Sequence, residues 1–177
     1  RVHIAYMLLR SGLPDLAKIP AALQGRGISQ VVLSTLDLVV APELAKESLA
    51  DISGSELRDI RLSLEDLAAA GARHNLNIYY PDFAVHRKVC PENVLRAAVV
   101  SAQGDVSPCV YTNIPTTVGD YYIRGVPYPV QSMIFGNVND LSWREIWRQP
   151  AYINFRRTWQ HGNLTATCQR CLKISNV

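Results

Sequence analysis

The sequence is poor in the features that place a chain quickly. It has no apolar run long enough to span a bilayer. No charged-then-apolar leader precedes its first apolar stretch. The expectation is a soluble, cytoplasmic chain with no membrane partner. Neither sign of charge dominates, since 18 Lys and Arg against 15 Asp and Glu leave +3 over 177 residues. The basic residues are scattered, which gives no ground for a nucleic-acid partner. Cysteine is scarce too, with four in the whole chain. A chain of this length, 48% hydrophobic, can build its own core without disulfide staples. An initiator methionine is also missing: the sequence opens on Arg1, already inside an apolar stretch, and is expected to be a piece of something longer.

The four cysteines have an informative spacing. Cys90 and Cys109 bracket a stretch in which Val94 to Val100 reads as a strand, Ser101 to Gly104 as a turn and Asp105 to Tyr111 as the returning strand. Such a hairpin brings its two ends together. Cys168 and Cys171 form a C-x2-C pair, whose spacing lets both thiolates address one metal centre. Two disulfides, unrelated buried thiols, a structural zinc and an iron–sulfur cluster all use four cysteines. Zinc ribbons usually supply two closely spaced pairs, and here only one pair is close. A cluster held by four thiolates accepts widely spaced ligands more readily.

Residues 1–85 read as alternating strands and helices. Val2 to Leu9 is a continuous apolar strand, of the kind buried on both faces of a parallel sheet. Leu13 to Gln24 has helical spacing that Pro20 should kink or divide, with Gly25 and Gly27 closing it. Ile28 to Leu33, or slightly beyond, is the second strand, and Pro42 to Ala50 a short helix. Ser55 opens a longer helix with Leu57, Ile60, Leu64, Leu67 and Gly71 on one face. Leu76 to Tyr80 is the third strand. This β-α-β-α-β order implies an α/β unit with a parallel sheet.

Beyond Thr112 the chain turns loop-rich, and no regular element is readable between Thr112 and Val130. Met133 to Val138 is a strand. Asp140 or Ser142 caps the next helix, where Ser142-x-x-Glu145 fits a capping box. Trp143 and Trp147 lie four apart beside Ile146 and are expected to stack, as core rather than as substrate contacts.

The pattern C-x13-G-x4-C, a long gap and then C-x2-C, together with Phe135-Gly-Asn-Val138, Trp143-Arg-Glu-Ile-Trp147 and Tyr152-Ile-Asn-Phe-Arg156, resembles the C-terminal extension of radical S-adenosylmethionine (SAM) enzymes. That extension is the SPASM domain, or twitch in its single-cluster form. The shorter form is the better likeness, because no cysteine follows Cys171. The resemblance implies two domains. Residues 1–85 would be the C-terminal portion of a partial (β/α)6 barrel, and residues 86–177 a small α+β SPASM/twitch domain. It implies one auxiliary [4Fe–4S] cluster on Cys90, Cys109, Cys168 and Cys171; the alternative reading is a zinc-stabilised, non-catalytic binding module using the same four cysteines. Full ligation by four thiolates favours electron transfer over direct substrate binding.

In such barrels the chemistry sits at the C-terminal ends of the strands. Arg10, Ser11, Ser34, Thr35, Asp37 and Asp82 are thereby candidates to face the active site, with Arg10, Ser34 and Asp37 the cofactor-side choices. The family's SAM-binding C-x3-C-x2-C does not occur here. On the resemblance that motif, SAM and a second [4Fe–4S] cluster belong upstream of Arg1, and the chain should not act alone. Its implied partners are the N-terminal half of the barrel, a reductant such as flavodoxin or ferredoxin, and a peptide, protein or small-molecule substrate. Residues 112–130 are where substrate choice is expected. His86 and His161, each near a cysteine, read as solvent-facing or as neighbours of the ligands, because four thiolates already complete a cluster.

Overall fold

The computed structural model describes residues 2–49, 52, 54–83, 90–114, 119–171 and 173. The chain is mixed α/β and divides into two compact units. The first holds residues 1–86 with 122–126 and 176–177; the second holds 87–121 and 127–175. Among the described residues no helix is long and apolar enough to cross a membrane.

The first unit is built on strands β1 (Val2–Leu8), β2 (Ile28–Thr35) and β3 (Asn77–Tyr79), ordered β1-β2-β3. Both pairings are parallel, with Leu8 beside Thr35 and Val32 beside Tyr79. Between the first two strands lie a 3-10 helix over Arg10–Lys18 and α1 (Ile19–Leu23). Pro20 falls in the first turn of α1, where its missing N–H costs nothing, so it divides the expected helix rather than kinking it. The long helix α2 (Gly54–Arg73) buries Ile60, Leu64, Leu67 and Gly71, the face its spacing marks. A Cβ at Gly71 would meet Leu76 O at 2.8 Å and Ile78 Cδ1 at 2.7 Å, so only glycine lets α2 close on the segment that becomes β3.

Two expectations for this unit need correcting. β1 is not buried on both faces: it lies at the sheet's edge, Val2 and Met7 are exposed, and only Leu8 is fully buried. Its apolar run measures hydrophobicity, whereas burial depends on what the sheet packs against. The short helix expected over Pro42 to Ala50 is a 3-10 helix and ends at Lys46. Pro42–Lys46 is one 3-10 turn closed by Leu44 N–H to Ala41 O, and Leu49 then enters the core. A single turn recovers too few hydrogen bonds to propagate an α-helix. Ala50 itself lies outside the described residues.

The second unit has much less regular structure. Its sheet joins β4 (Val99–Val100), β5 (Asp105–Ser107) and β8 (Gly136–Asn137) in antiparallel order β4-β5-β8. Between β5 and β8 in the chain, the strands β6 (Asp120–Ile123) and β7 (Val126–Pro129) form a separate two-stranded hairpin, of which residues 122–126 group with the first unit. Three short helices follow: α3 (Trp143–Trp147), α4 (Pro150–Gln160) and α5 (Ala166–Gln169).

The expected hairpin between the first two cysteines is present but shorter at both strands. Asn93 adopts a left-handed conformation, and its carbonyl accepts the amides of Arg96 and Ala97 at 2.8 and 2.9 Å. Residues 94–97 therefore turn, and Val94 packs into the core instead of joining a ladder. The returning strand stops at Ser107 because Pro108 has no N–H to pair. Val110–Thr112 is a 3-10 turn rather than strand. Met133 to Val138 keeps only two residues as strand, although Phe135 N–H still donates to Val106 O at 2.8 Å.

The Phe-Gly-Asn stretch has a clear local purpose. Asn137 Nδ2 donates to Gln103 O and to Asp105 Oδ1, both at 2.9 Å, pinning the turn that joins β4 to β5. Gly104 in that turn has φ +90°, and a Cβ there would meet Asn137 Oδ1 at 2.6 Å. The capping box stands: Ser142 Oγ accepts from Glu145 N–H while the Glu145 carboxylate accepts from Ser142 N–H. Trp143 and Trp147 stack with centroids 5.4 Å apart, but Trp143 is 48% exposed and is not core.

Candidate metal centre

The four cysteines all belong to the second unit, and Cys90, Cys109 and Cys168 are free thiols. Turns rather than long strands bring them together. Cys90 opens a turn closed by Asn93 N–H to Cys90 O at 3.1 Å. Cys109 precedes the 3-10 turn, where Thr112 Oγ1 donates to Cys109 O at 2.9 Å and lies 3.6 Å from the Cys109 sulfur. Thr165 caps α5 through the amide of Cys168. Cys171 follows one turn later, its amide donating to Cys168 O at 3.3 Å.

Cys90, Cys109 and Cys168 are buried in one cluster with Val94, Val106, Ile146, Tyr152, Phe155 and Trp159. Cys171 is half-buried and interacts electrostatically with all three. Each remaining pair among Cys90, Cys109 and Cys168 is likewise within electrostatic reach. Lys173 Nζ lies 4.0 Å from Glu92 Oε1, which ties the turn after Cys171 to the turn after Cys90. Among the described residues, no three His, Cys, Asp or Glu side chains form a group that could hold a metal ion as they stand.

The surroundings of these sulfurs pull in two directions. Burial pushes the thiols of Cys90 and Cys109 up, and that of Cys171 up to about 11. Yet backbone amides are turned toward the same sulfurs, from Glu92 and Val94 at Cys90, from Tyr111 and Thr112 at Cys109 and from Lys173 at Cys171. Amides gathered around one atom make a concavity suited to an anion, a recurrent feature of iron–sulfur sites. A neutral thiol gains little from them. A thiolate gains a great deal, and a bound cation supplies the reason for the proton to leave.

The comparison with known families bears on this segment. Residues 90–172 match the SPASM family model, an iron–sulfur cluster-binding domain. The matched SPASM segment takes in all four cysteines and implies iron–sulfur cluster binding by this part of the chain. No curated protein matches the chain.

Several features around the SPASM segment's cysteines are not evident in the sequence pattern. The β6–β7 hairpin turns through Arg124 and Gly125, both at positive φ, a two-residue turn that suits strand twist. It carries Tyr121 and Tyr128, whose rings lie 5.9 Å apart, and Arg170 of the C-x2-C turn sits 4.9 Å over Tyr128. Burial pushes the Tyr121 phenol up; Arg170 opposes this, and neighbouring Cys171 and Cys168 add to it. The signal for this hairpin was a lone Xaa-Gly step between alternating residues. Arg156 is the second such feature. Its guanidinium lies between the rings of Trp147 and Tyr152, at 4.2 and 4.3 Å, and donates to Trp147 O at 2.6 Å.

The candidates at the strand ends lie in the first unit. Parallel register sets Arg10, Ser34 and Asp37 at the same end of the sheet, the C-terminal end of its strands. Arg10 pairs with Glu56 in the first turn of α2, and its amide donates to Glu47 O at 3.1 Å. The Ser11 amide donates to Glu47 Oε2 at 2.8 Å. Ser34 is half-buried in β2, Thr35 donates to Asp37 Oδ1 at 3.3 Å, and Asp82 follows β3. These contacts fasten strand ends. His161 is satisfied locally, with Nδ1 2.7 Å from Arg157 O at the end of α4. His86 lies outside the described residues.

Proposed function

We propose that the chain is the C-terminal part of a radical SAM enzyme in which Cys90, Cys109, Cys168 and Cys171 hold one auxiliary [4Fe–4S] cluster. The observation that carries this reading is the gathering of four cysteines, with backbone amides turned toward three of their sulfurs, inside the segment that matches an iron–sulfur family. A bound cluster would supply one-electron transfer to or from a substrate radical. The chain's own residues would do the rest. The turns after Cys90, Cys109 and Cys171 would steady thiolate charge, and the aromatic core around Tyr152 and Phe155 would limit access of water and oxygen. Tyr121, Tyr128 and Arg170 would flank the C-x2-C pair on its hairpin side.

On the same reading the parallel β1-β2-β3 sheet supplies the last strands of a partial (β/α)6 barrel. Arg10, Ser34 and Asp37, sharing the C-terminal strand end, are then positioned toward SAM held mainly by residues of the N-terminal half. The reductant is of the flavodoxin or ferredoxin type, and the substrate a peptide, protein or small molecule met by residues 112–130.

Anaerobic reconstitution of the 177-residue chain with iron and sulfide, followed by metal and sulfide analysis, tests the centre. About four irons and four sulfides per chain are expected. One tightly held zinc and no acid-labile sulfide would overturn it. The barrel part fails if the reading frame upstream of Arg1 carries no C-x3-C-x2-C.

A further inference from the structure

The buried cluster around the cysteines contains one polar atom that the fold does not use. Trp159, on α4, is 8% exposed and packs in the same cluster as Cys90, Cys109 and Cys168. Its Nε1 is buried and has no hydrogen-bond partner among the described residues. An indole nitrogen can only donate. Leaving a buried donor unpaired carries the full desolvation penalty of that group, which a phenylalanine at the same position would avoid. One other described side-chain atom, Arg156 Nη1, is orphaned in the same way. Its guanidinium, however, is already held by two aromatic faces and a backbone carbonyl. Trp159 has no such compensation.

The other members of that apolar cluster are aliphatic, aromatic or cysteine, while the buried hydroxyls of Ser107 and Thr112 are held on Cys109 O and that of Tyr152 on Ala97 O. The cysteine sulfurs are the acceptors of this cluster that ligation would strengthen, since a neutral thiol is a weak one. Thiolates and the sulfides of a cluster carry negative charge and accept a charge-assisted hydrogen bond. We propose that the Trp159 indole N–H donates a hydrogen bond to a sulfur of the iron–sulfur cluster and thereby raises its reduction potential. This rests on the cluster assignment above. The direction follows from electrostatics: the reduced cluster carries one more negative charge, so a donor at sulfur stabilises it more than the oxidised form. Trp159 is on this account a positioning residue that acts through the cluster.

The test compares the full chain and Trp159→Phe after anaerobic reconstitution, each titrated with a one-electron chemical reductant and followed by electron paramagnetic resonance. At a fixed solution potential the variant should show about a tenfold higher ratio of oxidised to reduced cluster. For one electron this is a shift of about 59 mV to more negative potential. In the wild type, exchange into deuterated water should move the Fe–S stretching bands, and in the variant that shift should shrink. Equal potentials and equal isotope shifts overturn the assignment of Trp159 while leaving the cluster intact. A wild-type chain that takes up no iron and sulfide overturns the cluster reading and this inference together. Should Trp159→Phe fail to load, indole-15N labelling of the wild type decides. Cluster loading should displace the Trp159 N–H resonance, identified by difference from Trp143→Phe and Trp147→Phe. An unmoved resonance rejects the proposal.

Discussion

The two units of this chain solve the problem of forming a core by different means. The first buries Leu8, Leu16, Val31, Leu33, Leu49, Ile52, Ile60, Leu64, Leu67, Leu76 and Ile78 in one aliphatic cluster, and Ser48 is the polar side chain buried in that unit among the described residues. Its eight-residue central strand and twenty-residue helix satisfy their backbone groups internally. The sheet of the second unit has strands of two or three residues. Three of the nine side chains in its buried cluster are cysteines. Aliphatic burial stabilises the first at about 25 cal/mol per Å² of apolar surface. The second invests part of its interior in thiols that contribute little by packing and, on the proposed reading, much by ligation. Regular structure and bound metal are thus alternative ways to hold a chain, and on the proposed reading this protein uses one in each unit.

The sharpest way to break that contrast is to remove one ligand. Cys109→Ala in the loaded protein should abolish the cluster and cost the second unit more than about 4 kcal/mol, because ligation energy is folding energy at such sites. Iron content together with the thermal transition reads this out. A variant that kept a full complement of iron and its wild-type transition would remove Cys109 from the ligand set.

Leu64→Ala probes the other unit. Leu64 is fully buried on α2, and its truncation should cost about 2–5 kcal/mol through lost transfer energy and a residual cavity. Because the two buried clusters have no member in common, iron and sulfide content should stay at the wild-type level. Parallel loss of iron would show that the units are not energetically separate.

pH sharpens the comparison further. In the metal-free protein Cys171 holds its proton up to about 11, against an ordinary thiol value near 9. Between those values the folded state binds more protons than the unfolded state, so stability falls as pH rises through the window. A loss of roughly 1–2 kcal/mol is expected in urea titrations. The first unit contains no cysteine and should not contribute to it. Loading the cluster should flatten the profile, since a ligated thiolate has no proton to lose.

The same division explains what could be read from the sequence. α2 was legible because Ile60, Leu64, Leu67 and Gly71 recur at helical spacing and are buried. β2 and the capping box at Ser142 were legible for similarly local reasons. In the second unit the decisive contacts are long-range: Phe135 pairs with Val106 and Asn137 pins the turn at Gln103, across some thirty residues. The β6–β7 hairpin was hidden by Pro127 and Pro129, which read as breakers yet are tolerated in a two-stranded ribbon with a free edge. Cysteine spacing marked the candidate centre, since ligands must meet whatever the fold between them. Trp159 carried no such mark. A tryptophan at helical spacing looks like core, and only its unpaired nitrogen tells it apart.

The smallest effect tests whether local signals still matter where metal is proposed to dominate. Ser142 Oγ caps α3, and the Glu145 carboxylate accepts in return from Ser142 N–H at 2.8 Å. α3 has five residues, too few to persist on propensity alone. Its one fully buried side chain, Ile146, packs in the cluster that contains the cysteines. Ser142→Ala removes the acceptor for Glu145 N–H and should cost about 1 kcal/mol in the metal-free protein. In the loaded protein the same substitution should lower the thermal transition by a similar free energy without changing iron stoichiometry, because the cap touches no ligand. If the cost vanishes on loading, the cap only helps the apo chain hold its shape, and the metal takes over that task. If the cost persists, helix α3 has to be built by its own sequence, and the cluster stabilises what the cap has already formed.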